Sequence, residues 1–184
     1  QQIGHTGRDT NANDWLLAPR YYPVPAGTLK EGRNELLVKV ICLGGKSGVT
    51  AGPTRILWNA GATREAVTAQ LAKLPPIDLA GQWRGAKGTA NEKEMPADND
   101  PRWHPIRVPG EFQVQHGDWA AYNGLFWYTK NFDIKSIPEG ARPVLVMGSV
   151  DDEDDTYLNG QKIGHTGVDT NPKDYWMAMR VYPI

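Results

Sequence analysis

The clearest pattern of apolar and polar positions lies between residues 144 and 167. An unbroken apolar run, Val144–Met147, is typical of a strand buried in a sandwich core, and Gly148 ends it. Five carboxylates follow, and Thr156–Leu158 then resumes strand composition. Asn159-Gly160 predicts a two-residue hairpin turn, because this dipeptide readily adopts the left-handed backbone such a turn needs. The pattern therefore predicts a buried strand, an acidic corner and a hairpin in succession.

Other short apolar runs, separated by Gly, Pro, Asn and Asp, predict further strands along the chain. The strongest are Glu35–Leu43, Arg102–Val108 and Leu125–Ile134. Residues 63–74 depart from this pattern, because their apolar positions share one face of a short predicted helix that two prolines end. Many short strands with frequent turns predict an all-β sandwich.

The acidic hairpin, VDDEDDTYLNGQKIG, resembles the signature of the galactose-binding-domain-like jelly roll. This module occurs in sialate O-acetylesterases and in the sugar-binding domain of family 2 glycoside hydrolases. The resemblance covers most of the chain and includes IRVPGEF (106–112), YNGLFWYTKNFDI (122–134), PAGTLKEGRNELLVKV (25–40) and LAGQW (79–83). The acetylesterase module is the more similar one, because it also carries a glycine-rich stretch and an LAGQW-like strand. The resemblance implies a jelly-roll β-sandwich.

The chain also repeats part of itself. Residues 1–24 align without a gap on residues 161–184, and IGHTG, DTN and Tyr-Pro recur in register. Combined with the resemblance, the repeat makes residues 1–57 the C-terminal half of one jelly-roll module and residues 78–184 the N-terminal half of the next. Residues 58–77 are the predicted linker. The chain is therefore expected to be an out-of-phase segment of a tandem repeat.

Neither half alone has enough strands to cover its apolar face and its edges. The halves could close on each other in one chain, as in a circular permutant. Alternatively, each half could be completed by a neighbouring molecule, in a ring or a fibre. Since only one copy of the repeated segment fits each sandwich, we expect completion by neighbouring chains, which gives a homo-oligomer or polymer.

Composition and charge limit the partners. The net charge of −1 provides no strong electrostatic attraction to nucleic acid or to an anionic membrane surface. No apolar run approaches the roughly 20 residues of a membrane span, and no signal-peptide pattern opens the chain. Cys42 is the single cysteine, so neither an internal disulfide nor a cysteine-pair metal site is predicted. As part of a larger exported protein, the chain is expected to be extracellular or periplasmic.

The chain lacks the serine setting that acetylesterases use for catalysis. Its three serines, Ser47, Ser136 and Ser149, lie in no Gly-Asp-Ser motif or nucleophile elbow. A serine nucleophile also needs a base within hydrogen-bond reach. The nearest match, HGDW at 116–119, has Trp in the position of the nucleophile. We therefore expect a non-catalytic module.

The carboxylates of residues 151–155 have three alternative roles. Neighbouring strand residues point to opposite faces, so adjacent carboxylates would not face each other across a glycosidase substrate. The first role is structural, with some carboxylates accepting backbone hydrogen bonds at a sandwich corner. The others are a calcium site formed by alternate acidic oxygens and direct sugar contact, with Asp152 and Asp154 as candidates. No other cofactor is predicted, and His165 is expected to hydrogen-bond within the turn after the hairpin rather than to bind zinc.

Loop aromatics give the main indication of a ligand. A sugar ring binds where an aromatic platform meets a few placed polar groups. The candidates lie in loops or at strand ends: Trp103, His104, Trp119, Tyr122 and Asn123. Trp119 and Tyr122 could instead pack over the end of the sandwich.

Two function classes follow. The first is a non-catalytic carbohydrate-binding or accessory module of an exported carbohydrate-active protein. The second is a structural repeat that self-assembles, binding neighbouring copies of the same chain and no sugar. An open platform formed by Trp103, Trp119 and Tyr122 would favour the first class, and burial of these side chains would favour the second.

Overall fold

The computed structural model describes residues 20–44, 48–50, 54–58, 77–137, 142–148, 150–170 and 172. The strands in this part of the chain are β1 (Arg20–Pro23), β2 (Gly32–Cys42), β3 (Gly48–Val49), β4 (Arg55–Leu57), β5 (Ile77–Asp78), β6 (Gly81–Lys87), β7 (His104–Val108), β8 (Gly124–Ile134), β9 (Val144–Met147), β10 (Val150–Asp151), β11 (Glu153–Leu158) and β12 (Gln161–Thr166). The helical elements among the described residues are 3-10 turns at Phe112–Val114 and Gly117–Trp119. No described helix is long and apolar enough to cross a membrane. The all-β class predicted from the strand pattern is confirmed, whereas the helix predicted at 63–74 lies outside the described residues.

The described strands pair antiparallel in three sheets. The large sheet has the order β12-β11-β2-β8-β6-β7, and a four-stranded sheet has the order β1-β9-β4-β5. A two-stranded ribbon joins β10 to β3. Side chains along β2 alternate in burial, because successive residues of a strand point to opposite faces. The large sheet therefore has an inner face and an outer face.

One contiguous core joins the inner face of the large sheet to the four-stranded sheet. Strand β2 supplies Val38 and Val40, β8 supplies Phe126, and β9 supplies Leu145 and Met147. All five side chains are buried. Burial of an apolar side chain of this size stabilises the fold by about 1.5–3 kcal/mol, so this shared core fixes how the two sheets face each other.

The predicted hairpin is present between β11 and β12. Asn159 and Gly160 have φ angles of 49° and 80°, and Leu158 pairs with Gln161 across them. The Asn159 side chain also accepts a hydrogen bond from the backbone N–H of Glu35 at 2.9 Å. This bond fixes the turn against β2.

The two halves of the chain close on each other. Strand β2, which precedes residue 58, lies between β8 and β11, which both follow residue 77. In the same way β9 lies between β1 and β4. Among the described strands, the partners of β2 and β9 therefore come from the same molecule, and the association of neighbouring copies stays a prediction. Both edges of β2 are paired within one molecule, so β2 presents no free edge to a neighbour.

Each copy of the repeated segment contributes one described strand. The second copy forms β12 and the first copy forms β1. In the sequence alignment, residues 1–6 correspond to β12 and residues 180–183 correspond to β1, and both ranges lie outside the described residues. We expected only one copy of the repeated segment to fit each sandwich. The described strands instead come from both copies, one strand from each.

The loop of residues 88–103 covers part of the outer face of the large sheet. It lies over Ala86, Leu125 and Trp127, against which Met95 and Trp103 of the loop pack. An apolar patch on the outer face is therefore shielded from water by a segment without regular secondary structure.

Glu92 holds this loop in place. Its carboxylate accepts hydrogen bonds from Trp127 Nε1 at 3.2 Å and from the Arg102 guanidinium at 3.0 Å and 3.3 Å. Arg102 also pairs with Asp100 at 2.8 Å. Burial opposes ionisation of Glu92, but hydrogen bonds from Arg102, Trp127 and Thr89 outweigh it and lower the pKa of Glu92. The charged form of Glu92 is therefore the one that holds the loop.

We expect Glu92→Gln to lower the free energy of unfolding by about 1–3 kcal/mol, because an amide cannot accept all the hydrogen bonds of the carboxylate. Glu94→Gln, at an exposed position of the same loop, should change it by less than about 0.5 kcal/mol. Urea unfolding followed by tryptophan fluorescence measures both values. Equal stabilities of the two variants would contradict the anchoring role of Glu92.

Candidate functional site

The predicted ligand residues fall in three places. Trp103, His104, Trp119 and Tyr122 lie around the end of β6, the start of β7 and the 3-10 turn before β8. Asn123 and Asp152 lie near the end of β2, and Asp154 lies in the core. The structure therefore brings His104 and Trp119 together, with ring centroids 5.8 Å apart, whereas Trp103 packs on the outer face and the acidic candidates lie elsewhere.

Trp119 is a core residue and not an exposed platform. Its side chain is 1% exposed, and its ring meets Phe126 edge-on with centroids 5.0 Å apart. The 3-10 turn Gly117–Trp119 directs the indole inward, where it joins the main core. Of the two alternatives for Trp119, packing is the one that the structure has.

The rings of His104 and His116 lie beside Trp119. His104 and His116 stack with centroids 4.2 Å apart and an interplanar angle of 24°. His116 also lies 4.8 Å from the Trp119 ring. The sequence interpretation did not name His116 as a site residue, although it noted the HGDW motif that contains it. The contact could not be predicted from sequence, because His104 begins β7 and His116 precedes the 3-10 turn Gly117–Trp119, in a separate segment.

A small depression of about 230 Å³ opens at this ring cluster. It is lined by Lys87, Pro101, Arg102, His104, Asp118 and Trp119. Its wall includes Arg102, which is already held by Glu92 and Asp100. The hydrogen bonds that Arg102 donates to Asp100 and to Glu92 raise the Arg102 pKa, so the guanidinium remains a fixed positive charge.

Lys87 and Tyr122 contact each other beside the depression, and each also hydrogen-bonds to backbone carbonyls. Lys87 Nζ lies 5.6 Å from the Tyr122 ring centroid and donates to the Asp118 carbonyl at 3.1 Å. Tyr122 Oη lies 2.8 Å from the carbonyl oxygens of both Gly88 and Leu125. Burial raises the pKa of Tyr122, so its hydroxyl remains a neutral donor. Tyr122 is therefore a supporting residue rather than an open platform.

His104 and Asp118 have hydrogen-bonding capacity that the fold does not use. In the described part of the chain, neither the His104 ring nitrogens nor the Asp118 carboxylate forms a hydrogen bond, and Asp118 is exposed. An imidazole can donate and accept, and a carboxylate accepts. Together with the Lys87 ammonium, the depression offers both kinds of hydrogen-bonding group to a ligand.

Trp103 stabilises the loop of residues 88–103. Its indole N–H donates to the Ala97 carbonyl at 3.0 Å, and the Arg84 guanidinium lies 5.0 Å from its ring centroid. With one face under Arg84 and its edge bonded, Trp103 is not an open platform either.

Asn123 and Asp152 complete the corner near the end of β2. Asn123 Oδ1 accepts from Cys42 Sγ at 3.4 Å, and Asp152 Oδ2 accepts from the Leu43 backbone N–H at 2.7 Å. The structural role predicted for the acidic run is confirmed at Asp152. Neither side chain reaches the depression lining.

Asp154 faces the core, which corrects its candidacy as a sugar contact. It is 1% exposed and accepts from Thr156 Oγ1 at 3.1 Å. Burial alternates along β11, so Glu153 and Asp155 are on the other face. Among the described residues no three His, Cys, Asp or Glu side chains are placed to hold a metal ion, and the calcium site stays a sequence hypothesis.

His165 binds two carboxylates at once. Its Nδ1 lies 2.7 Å from Asp155 and its Nε2 lies 2.9 Å from Asp169, which confirms the hydrogen bonding predicted after the hairpin. Both ring nitrogens can donate only in the charged imidazolium. Burial opposes this charge, but the hydrogen bonds to Asp169 and Asp155 outweigh burial and raise the pKa of His165. The nearby Lys162 ammonium, 2.6 Å from Asp155, acts in the opposite direction to those carboxylates.

Comparisons with protein-family models, with curated proteins and with solved structures found no match.

We expect Trp119→Ala to lower the free energy of unfolding by about 3–5 kcal/mol, because it removes a large ring from the core. Val114→Ala is the matched control, since Val114 is 74% exposed in the preceding 3-10 turn and should cost less than about 0.5 kcal/mol. Thermal and urea unfolding measure both variants. A Trp119→Ala protein as stable as the control would place the indole at the surface.

The His165 ion pairs should stabilise the fold more at low pH than at high pH. The folded pKa is above the unfolded value of about 6.5, so the contribution is complete below that value and is lost as pH rises through the folded pKa. We expect the stability difference between the wild type and His165→Gln to shrink between pH 6 and pH 9. Urea unfolding across this range measures it, with Asp169→Asn expected to weaken the pH dependence. A difference that does not vary with pH would contradict the charged state of His165.

Proposed function

We propose that this chain is a non-catalytic carbohydrate-binding module built as a galactose-binding-like jelly-roll β-sandwich. The sandwich is supported by two antiparallel sheets that contribute to one core and by the sequence motifs of β6, β8, β11 and the hairpin. In this proposal the chain belongs to a tandem-repeat or multidomain exported protein that acts on carbohydrate.

One observation carries the proposal, namely the unused polar groups around the depression. A saccharide hydroxyl both donates and accepts, so its recognition requires donors and acceptors at short range. Lys87 supplies donors, Asp118 supplies acceptors, and His104 supplies either. His104, which stacks on His116, adds an aromatic ring to the lining of the depression. Recognition would therefore depend on hydrogen bonds rather than on a tryptophan platform.

The absence of catalysis is part of the proposal. In the HGDW segment the position after Asp118 is Trp119, whose indole packs in the core. A nucleophile at this position would need an exposed hydroxyl beside a base. The segment that resembles a hydrolase motif thus has a packing role here.

A second candidate function is a structural repeat that contacts neighbouring copies. It is favoured by the packing of Trp119 and by the bracing of Trp103 and Tyr122, since neither tryptophan is an open platform. The two candidates differ in whether isolated protein binds any glycan.

We expect a glycan array on the purified chain to give hits whose affinity falls in His104→Ala and in Asp118→Asn. Each substitution removes a hydrogen bond worth about 0.5–1.5 kcal/mol, or up to about 3 kcal/mol for the charged carboxylate, which corresponds to roughly 2- to 150-fold in Kd. Calorimetric titration of the hits measures these changes, and Glu94→Gln serves as the surface control. The absence of any glycan hit would favour the structural candidate. Hits that both variants bind with unchanged affinity would exclude the depression as the binding site.

A further inference from the structure

The outer face of the large sheet carries a second polar groove, of about 430 Å³. It lies toward the hairpin end of β2, next to the area that the loop of residues 88–103 covers. Its sides are formed by Lys30, Arg33, Glu35, Asp98 and Asn131. None of these residues was a candidate from sequence.

We propose that this groove binds an uncharged segment of a saccharide chain. The inference rests on the proposed carbohydrate-binding function and adds a site and a ligand class to it. Three features of the groove support the proposal: a fixed base, oriented but incompletely bonded side chains, and balanced charge.

The base of the groove is fixed by two asparagines. Asn34 is buried and donates to the carbonyls of Lys30 and Gly32, at 2.7 Å and 2.9 Å. Asn159 donates to Asn34 Oδ1 at 2.9 Å and to the Thr28 carbonyl at 2.7 Å. A base held by so many bonds needs no rearrangement before a ligand enters, which reduces the entropic cost of binding.

The side chains above this base are oriented by single partners. Arg33 Nε donates to Asn131 Oδ1 at 3.2 Å, and Glu35 Oε1 accepts from Thr129 Oγ1 at 3.1 Å. In the described part of the chain, the terminal nitrogens of Arg33, the Asn131 amide nitrogen and Glu35 Oε2 make no further hydrogen bond. Oriented groups with unused donors and acceptors are what a hydroxyl-rich ligand requires.

The charges of the groove indicate an uncharged ligand. Lys30 and Arg33 are balanced by Glu35 and Asp98, and Asp98 also forms a salt bridge with Arg84. A strongly anionic ligand in the groove would lie close to the carboxylates of Glu35 and Asp98. A strongly cationic ligand would lie close to the positive charges of Lys30 and Arg33. Like-charge contacts of this kind act against binding. A neutral saccharide uses the donors and the acceptors without such a contact.

The groove and the depression are separate sites that share one wall. Asn131 lies five residues along β8 from Phe126, which pairs with Lys87, so the two sites are roughly 17 Å apart along the strand. The loop of residues 88–103 supplies Asp98 to the groove and Arg102 to the depression. No residue belongs to both linings, so substitutions in one site leave the lining of the other unaltered.

The test is a titration of the ¹⁵N-labelled chain with cellotetraose, xylotetraose and galactotetraose, with trigalacturonic acid as the anionic probe. We expect saturable shifts of the Asn131 and Asn159 side-chain amides with at least one neutral probe. Arg33→Met and Asn131→Ala should each weaken this binding by roughly 2- to 10-fold, the value of one lost hydrogen bond. Glu94→Gln, at an exposed position outside the groove lining, is the control and should leave it unchanged.

The outcomes separate the two sites. Groove shifts that persist in His104→Ala and Asp118→Asn support the groove even where the depression binds nothing. Shifts confined to the depression overturn the groove and leave the proposed function standing. Stronger binding of trigalacturonic acid overturns the ligand class, and no shift with any probe overturns the groove.

Discussion

The structure depends on the pairing of β2 along both of its edges. Strand β2 is matched with β8 over its whole length, from Gly32 opposite Ile134 to Cys42 opposite Gly124, and with β11 on its other side. These partners follow residue 77, whereas β2 precedes residue 58, so the pairing closes the chain. Because Leu36, Val38 and Val40 point from β2 into the core, the same strand also positions the inner face against β9.

The loop of residues 88–103 is the second element on which both candidate sites depend. Glu92 joins it to Trp127 of the sheet and to Arg102 at its own end. The network is partly buried, with side-chain exposures of 36% for Arg102 and 19% for Glu92, so a member left without its partners would be costly. The anchored loop then forms one wall of the depression and one wall of the groove.

The sequence by itself determined the local features of this protein. Hydrophobic runs placed β8, β9 and much of β2, because strands buried on one or both faces need continuous or alternating apolar residues. Asn159-Gly160 determined the hairpin, since both positions need positive φ. Strand alternation also predicted that neighbouring carboxylates of the acidic run would separate, as Asp154 and Asp155 do.

Tertiary structure decided which side chains are free to act and which strands pair. In the sequence, Trp119 and Trp103 are indistinguishable from tryptophans that stack on sugars at an open surface. In the structure, the 3-10 turn directs Trp119 into the core and Arg84 covers Trp103. The stack of His104 on His116 and the groove at Arg33 and Asn131 join residues that are distant in the chain. The repeated segment was compatible with strand pairing within one molecule or between molecules. Among the described strands, the partners of β2 come from the same molecule. Local pattern fixes the direction of a side chain on its own strand, whereas exposure and partners depend on which other segments fold against it.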